Sequence, residues 1–223
     1  MLDKSPEKIK KMFNDIAENY DFLNKVISWG THKFVKSYAI SKLDIKPNTK
    51  VLDVCCGSGD LSRIIFAQNS TCKIIGIDFS EEMLNIAQKH SKNIQYLQQD
   101  ATNLNFADNS FDYVVMGFGL RNIENQQAAL SEIYRVLKPH GKFLQLDFVP
   151  KSLFGNFYDK ITLLLAKIFS NNVDAYKYLI NSKNTFLPPK QLIKFFEKSG
   201  FHHLMSKNLL FNMVSFQIMK KNS

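Results

Sequence analysis

The sequence predicts an α/β fold in which a mostly parallel sheet of seven strands carries helices on both faces. Short apolar runs alternate with segments of helical period from residue 50 onward, which is the pattern of strands linked by helices. These runs are apolar throughout, as expected for parallel strands buried on both faces. A length of 223 residues, with 45% apolar and 22% charged residues, suits one globular domain and excludes a disordered chain.

Each element follows from a local pattern. Apolar residues at helical spacing indicate one or two amphipathic helices before Gly30. The following segments are predicted as strand 51–56, a helix from Asp60, strand 73–78, a helix opened by Ser80, strands 94–98 and 111–116, a helix stopped by Pro139 and Gly141, and strand 142–148. A helical segment from Pro150 to about Asn184, helix 191–198 and strands 203–209 and 212–219 complete the prediction.

These elements divide the single domain into four parts. They are an N-terminal helical cap (1–45), a core (46–150), an insertion (151–187) and a C-terminal helix with strands (188–223). The insertion follows the fifth strand, beside the sheet edge where ligands bind in such folds, and is therefore predicted to be a lid. Its apolar stripe at Ile161, Leu164, Leu165 and Ile168 is interpreted as core packing, with a channel for an apolar tail as the alternative.

Charge and cysteine usage narrow the class of protein. The net charge is +9, but no block of Lys or Arg exceeds two residues, which favours a solvated surface over nucleic-acid binding and leaves a membrane-facing patch as an alternative. The longest apolar run, 161–169, is far shorter than the roughly 20 residues of a membrane span. The three cysteines have neither disulfide nor metal-ligand spacing, so we expect a reduced, cytoplasmic setting and no metal.

The strongest local motif is VLDVCCGSGD at residues 51–60, an apolar strand that leads into a glycine-rich turn. Gly57 and Gly59 allow the backbone to approach a ligand closely, as in nucleotide-binding folds. A glycine pair alone is weak evidence, since many such pairs are ordinary turns. Ser62 stands where a dinucleotide-binding motif has its third glycine, which disfavours a pyrophosphate and hence NAD.

Two further strand ends point to an adenosine ligand. Asp78 ends the second predicted strand, 21 residues after Gly57, where a carboxylate can accept both ribose hydroxyls. Asp100 and Ala101 follow the third strand, where they can address the adenine edge. A helix N-terminal carboxylate remains the alternative for Asp78, and a turn acid for Asp100.

Longer segments resemble one family. They are FNDIAENYDFLN at 13–24, FGLRN at 118–122, YRVLKP at 134–139 and DAYKYLINS at 174–182. Together with the strand-end residues, they resemble the ubiquinone/menaquinone biosynthesis C-methyltransferases (UbiE/MenG), which are class I S-adenosylmethionine-dependent methyltransferases. The resemblance covers nearly the whole chain, and FGLRN is its most discriminating segment. It implies a Rossmann-like fold and S-adenosylmethionine as cofactor.

The resemblance also assigns cofactor-binding residues. They are Gly57, Gly59, Ser62, Asp78, Asp100 and Ala101, with Gly117 under the methionine part. The chain departs from the family pattern in CCGSGD, where many members have GGTGD, in Phe34, where they often have Trp, and in the lid segment NSKNTF. These departures leave open which quinone precursor the pocket fits.

Methylation of a quinol ring carbon requires a phenolate and its stabilisation. Arg121 is the catalytic candidate, either holding the phenolate or orienting a water, because a guanidinium is almost never a free base. Asn122 can orient the same oxygen. The alternatives are an ion pair for Arg121 and a helix N-cap for Asn122. For the substrate pocket we expect Tyr20, His32, Asp147 and Tyr178, with core packing, helix capping or a solvated strand end as alternatives.

The expected function is methylation of a prenylated quinol, with demethylmenaquinol as first choice. A phylloquinone-type naphthoquinol and another small molecule are the alternatives. The missing Asn/Asp-Pro-Pro-aromatic signature at GFGLRN argues against a base methyltransferase, and the full lid argues against a non-catalytic adenosine-binding module. Transient contact between anionic lipid and Lys4, Lys8, Lys10 and Lys11 is a further hypothesis, at an inner membrane face, and a homodimer is left open.

Overall fold

The structure, a computed structural model, describes residues 2–28, 30–152, 154–169 and 172–223. Its strands are β1 (Lys50–Val54), β2 (Lys73–Asp78), β3 (Gln95–Gln98), β4 (Phe111–Gly117), β5 (Leu137–Phe148), β6 (Phe201–Leu209) and β7 (Val214–Lys221). Its helices are α1 (Pro6–Ile27), α2 (Thr31–Leu43), α3 (Asp60–Gln68), α4 (Glu81–His90), α5 (Gln126–Val136), α6 (Gly155–Phe169), α7 (Val173–Asn184) and α8 (Pro189–Lys198), with a 3₁₀ turn at Leu120–Asn122.

The strands form a seven-stranded sheet in the order β3-β2-β1-β4-β5-β7-β6. Strands β1 to β5 pair in parallel, and β7 runs antiparallel between β5 and β6. Apolar clusters lie on both faces of this sheet, one around Phe143 and Phe196 and the other around Ile40 and Phe216. The predicted mostly parallel sheet with helices on both faces is confirmed.

Helix α1 packs over the carboxyl ends of the central strands. Its residues Met12, Ile16 and Leu23 share an apolar cluster with Met83 of α4 and with residues of α6 and α7. Gly30, with φ of 76°, supplies the left-handed turn between α1 and α2. The N-terminal helices therefore cover the edge of the sheet where ligands bind.

Helix α5 ends earlier than its sequence pattern suggests. It stops at Val136, and β5 begins at once with Leu137, before Pro139. The ammonium of Lys221 donates to the carbonyl oxygens of Tyr134 at 2.7 Å and Leu137 at 2.8 Å. A side chain 84 positions away thus satisfies the helix end.

The insertion contains α6 and α7, which are joined by a buried ion pair. Lys183 Nζ lies 2.5 Å from Asp159 Oδ1. The interpretation of the α6 stripe as core is wrong in part, because Leu164 and Ile168 are 59% and 62% exposed, whereas Leu165 packs against the α1 cluster. Among the described residues, no helix combines the length and hydropathy needed to span a membrane.

Candidate active site

The glycine-rich turn after β1 lines one wall of a large cavity. Gly57 has φ of 55°, and a side chain added there would meet no atom within 4 Å, so its backbone faces open space. Cys55 also adopts a positive φ of 56° and lines the cavity. The turn is therefore shaped to bring the main chain close to a ligand.

Asp78 at the end of β2 supports this turn. Its Oδ2 accepts the Gly57 N–H at 2.8 Å, and its Oδ1 accepts the Ser80 N–H at 2.9 Å. Burial raises the pKa of Asp78, against these hydrogen bonds. Each carboxylate oxygen has a second lone pair, so Asp78, which lines the cavity, can still accept from a ligand hydroxyl.

Asp100 and Ala101 lie on the same cavity beyond β3. Asp100 Oδ1 accepts the Thr102 N–H at 2.8 Å, which holds a turn, while Ala101 is buried. The carboxyl ends of β1, β2 and β3 thus present Gly57, Asp78 and the Asp100–Ala101 pair to one space. This is the arrangement that the sequence predicts for an adenosine site.

Of the three other predicted cofactor residues, Ser62 and Gly59 lie behind the cavity wall and Gly117 borders the cavity. Ser62 is fully buried and donates its hydroxyl to Asp53 Oδ2 at 2.6 Å, so it does not line the cavity. A side chain at Gly59 would collide with the Tyr96 ring, and one at Gly117 would lie 2.7 Å from Leu61 Cδ1. Gly117 still borders the cavity, but close packing explains why both positions are glycine.

Helix α1 closes this cavity. The Ser58 hydroxyl donates to Asp21 Oδ1 at 2.6 Å, and the Ser80 hydroxyl donates to Asn14 Oδ1 at 2.6 Å, so two hydrogen bonds hold the helix over it. Lys4 and Lys10 line the cavity. Burial, followed by the nearby Arg121 charge, lowers the pKa of Lys4.

A second cavity meets the first at Tyr20 and Phe118, which line both. It lies under the insertion, between α2, α6 and α7. Besides Tyr20, its polar residues are Asn24, Ser28, His32, Lys36, Arg121, Tyr158, Asp159, Thr162, Tyr176 and Lys183. Phe118, directly after β4, lies at the junction of the two cavities. Its φ of 61° is uncommon for a bulky residue.

Arg121 forms a buried ion pair beside the second cavity. Its Nη1 donates to Asp147 Oδ1 at 2.6 Å and to the Phe118 carbonyl oxygen at 2.6 Å. Its side chain is 6% exposed and that of Asp147 is 2% exposed. Burial raises the pKa of Asp147, while Arg121 opposes the rise. Asp147 does not line the cavity and is not a solvated strand end: it positions Arg121.

Asn122 turns toward the first cavity instead. Its Nδ2 lies 3.4 Å from the Phe118 carbonyl oxygen, and its Oδ1 is buried without a hydrogen-bond partner in the described part of the chain. The N-cap of α5 is Asn125, whose side chain accepts the Ala128 N–H. The capping alternative for Asn122 is therefore wrong, and its amide is available to a ligand.

His32 is held in one tautomer. The Ser28 Oγ lies 2.6 Å from the Asn24 carbonyl oxygen and 2.6 Å from His32 Nδ1. A carbonyl has no proton, so the Ser28 hydroxyl proton must lie toward Asn24, and His32 Nδ1–H must donate to Ser28. Partial burial, followed by the Lys36 charge, lowers the pKa of His32, which leaves a neutral ring with Nε2 as its acceptor.

Of the two remaining predicted substrate residues, Tyr20 lines both cavities and Tyr178 lines neither. Tyr178 lies outside the second cavity's lining, although its hydroxyl is buried without a partner among the described residues and burial raises its pKa to about 12. Sequence reasoning missed Lys36, Tyr158, Asp159 and Lys183. Of these, only Lys183 carried a sequence cue, the altered lid segment.

Solved structures share this fold. A Thermotoga maritima S-adenosylmethionine-dependent methyltransferase superposes with a TM-score of 0.71, at 20% identity over 96% of this chain and all of that one (100%). A Haemonchus contortus phosphoethanolamine N-methyltransferase, solved with S-adenosylmethionine, gives 0.64 at 18% identity over 84% of this chain and 52% of its own. The sheet and the strand-end cavity are those of the Rossmann-like class I methyltransferase fold.

Sequence comparison narrows this class. The chain belongs to the ubiE/COQ5 methyltransferase family, whose model matches residues 1–221, and is an S-adenosylmethionine-dependent methyltransferase. Curated relatives named demethylmenaquinone methyltransferase, from Bacillus cereus and Bacillus anthracis, are 33% identical over 98% of this chain and 97% of their own length. The resemblance stated from the sequence motifs is confirmed.

Proposed function

We propose that this protein transfers a methyl group from S-adenosylmethionine to a ring carbon of a prenylated quinol, with demethylmenaquinol as the substrate. The observation that carries the proposal is the junction of two cavities at Tyr20 and Phe118. One presents the adenosine-type residues, and the other presents Arg121 and His32. The names of the Bacillus relatives support a naphthoquinol substrate.

The residues present fit the cofactor. The open space at Gly57, the remaining lone pairs of Asp78 and the unpaired Asn122 Oδ1 supply a close backbone, a ribose acceptor and an acceptor for a polar cofactor group. Asp100 and Ala101 would border the adenine. When bound, S-adenosylmethionine supplies an electrophilic methyl group on a sulfonium.

Arg121 would hold the quinol oxygen as its negative charge develops. Its Nη1 is occupied by Asp147 and the Phe118 carbonyl, but its buried Nε–H has no partner among the described residues. A fixed donor in a dry site stabilises a phenolate without reorganisation. Asp147 keeps that donor in place, and the positive guanidinium makes the oxygen easier to deprotonate.

His32 would take the proton from the quinol hydroxyl. Its ring is neutral and accepts at Nε2, because Nδ1–H is committed to Ser28. The hydroxyl proton would pass to Nε2, which leaves a phenolate whose ring carbon can accept the methyl group that bound S-adenosylmethionine supplies. The proton on that carbon would then move to the ring oxygen as aromaticity returns, and the proton on Nε2 would leave to solvent, so that one proton is released in total.

His32→Asn is expected to lower kcat about 100-fold, since a general base typically contributes that much or more. Because burial and Lys36 lower the pKa of His32, the acidic limb of the wild-type rate profile should lie below the ordinary histidine range, and the variant should lose it. The measurement is kcat against pH. His90→Asn, at a 45% exposed histidine, is the control, and an acidic limb that survives in His32→Asn assigns the proton to another group.

The function itself is tested by mass spectrometry of reactions with purified protein and S-adenosylmethionine. Separate reactions contain demethylmenaquinol, a phytyl naphthoquinol and a demethylated benzoquinol. A mass gain of one methylene on demethylmenaquinol supports the proposal. A gain only on another quinol corrects the substrate, and no gain on any quinol while the cofactor still binds rejects quinol methylation.

A further inference from the structure

We propose that the outer face of α6 docks on an anionic lipid bilayer. This face, which we call the α6 outer face, consists of five exposed apolar residues: Phe154, Phe157, Leu164, Ile168 and Phe211. Phe157 is 66% exposed and Phe211 is 77% exposed. Large exposed apolar residues that cluster in this way mark a surface for another partner.

The spacing within α6 makes this face continuous. Phe157, Leu164 and Ile168 are separated by seven and four residues, which places them on one side of the helix. The opposite side carries Asp159, Thr162 and Ala166, all buried. The helix therefore has one side packed against the rest of the protein and one apolar side exposed to solvent.

A second element extends the face. The Phe154 and Phe211 rings lie with centroids 5.2 Å apart, so the turn between β6 and β7 joins the start of α6. Phe211 has a positive φ of 51°, within a turn whose neighbours Leu210 and Asn212 also have positive φ. The structure thus holds an aromatic side chain outward from a tight turn, as expected for a side chain that inserts into an interface.

Charge identifies a membrane surface as the partner. The exposed charged residues of α6 itself and of the segment just before it are Lys151, Lys160 and Lys167. The single acid of the helix, Asp159, is buried and paired with Lys183, so it does not offset them. An apolar face flanked by lysines is the composition that binds anionic bilayers at the headgroup level.

The N-terminal lysines fit this role less well. Lys4 and Lys10 line the cofactor cavity, and Lys8 lies 3.3 Å from Asp3. Only Lys8 and Lys11 of the four are exposed. We therefore expect the lipid contact at α6 and not at the N-terminal lysines of α1.

The α6 outer face also lies behind the second cavity. Tyr158, Asp159 and Thr162 of the same helix line that cavity from the inside. A docked α6 would place the cavity wall against the lipid, where a prenylated substrate resides. This last link rests on the proposed function, whereas the docking itself rests on exposure and charge.

The test is co-sedimentation of purified protein, without substrate, with vesicles of phosphatidylcholine alone or with phosphatidylglycerol added. Phe157→Ser/Leu164→Ser/Ile168→Ser should weaken binding to the mixed vesicles about tenfold or more. Lys160→Glu/Lys167→Glu should lose the preference for anionic lipid. Lys8→Glu/Lys11→Glu is the matched control and should bind like the wild type. Thermal melts should coincide, because all substituted side chains are exposed.

Equal vesicle binding by the wild type and both α6 variants would overturn the proposal. So would a wild-type dimer that binds no vesicles and that the serine variant dissociates, since a second copy would then cover the face. Methylation of a short-chain, water-soluble quinol separates the two proposals. Vesicle binding without methylation rejects the quinol function alone, and methylation without vesicle binding rejects the docking alone.

Discussion

Arg121→Ala is expected to lower the free energy of unfolding by about 3–5 kcal/mol and to reduce quinol methylation about 1000-fold. The substitution leaves the Asp147 carboxylate, 2% exposed, without its cation. It also removes the donor that would stabilise the phenolate. Stability is measured by urea unfolding, and activity by the mass of the quinol product.

A paired variant separates these two effects. Arg121→Met/Asp147→Asn removes both charges, keeps an acceptor for the Phe148 N–H, and should recover most of the lost stability. Activity should stay low, because no positive donor has returned. A double variant that regains activity would show that Arg121 acts only through folding.

The loss in Arg121→Ala also depends on pH. Burial raises the pKa of Asp147, and Arg121 opposes that rise, so its removal raises the pKa further. Asp147 ionises in the unfolded chain at its ordinary pKa but resists ionisation in the folded variant. The stability loss should therefore be smaller near pH 4, where the carboxyl is protonated, than near pH 8. An equal loss at both pH values would contradict the buried-charge explanation.

Asp53 is expected to make the protein less stable as pH rises. Burial raises its pKa from the ordinary 3.8 to about 7, against two hydrogen bonds from Ser62. Its Oδ1 has no partner among the described residues. A raised carboxyl pKa stabilises the folded state fully below pH 3.8, and this contribution is lost as pH rises toward 7.

Asp53→Asn reports this effect. The stability of the wild type minus that of the variant should fall by about 4 kcal/mol between pH 4 and pH 8 and then level off. The change of this difference with pH is used because any stability effect of the introduced amide that does not depend on pH cancels. Urea unfolding across this range measures it.

Asp112→Asn is a control of opposite sign. Partial burial opposes the change, but Lys138 and the Lys50 N–H hold the pKa of Asp112 below its ordinary value. The wild type should therefore gain stability over this variant as pH rises through the acid range. A flat difference curve for Asp53→Asn would show that Asp53 ionises normally in the folded protein.

The sequence could predict the core strands because their signals are local. Strand 73–78 and the helix starts at Asp60 and Ser80 match the structure, since apolar runs and capping residues act within a few neighbouring positions. The end of α5 could not be placed in this way. Its last carbonyl groups bind Lys221, which approaches only after β7 has joined the sheet.

The candidate site shows the same division. Gly57, Asp78, Asp100 and Ala101 follow consecutive parallel strands, and topology alone brings such strand ends together. Ser62 lies in the first turn of α3, and its side chain points into the core, toward Asp53. The motif pattern cannot tell whether this side chain faces the cavity or the core, because that depends on how α3 packs on the sheet.

By itself, the sequence determined the fold class, the family and the strand-end residues, because hydrophobic period, glycine turns and motif spacing are written in consecutive positions. Only the tertiary structure decided that Asp147 is the buried partner of Arg121, that His32 accepts at Nε2, and that the α6 outer face is exposed. These properties depend on which distant surfaces meet. Burial and hydrogen-bond partners exist only after α1, α6 and α7 close over the sheet.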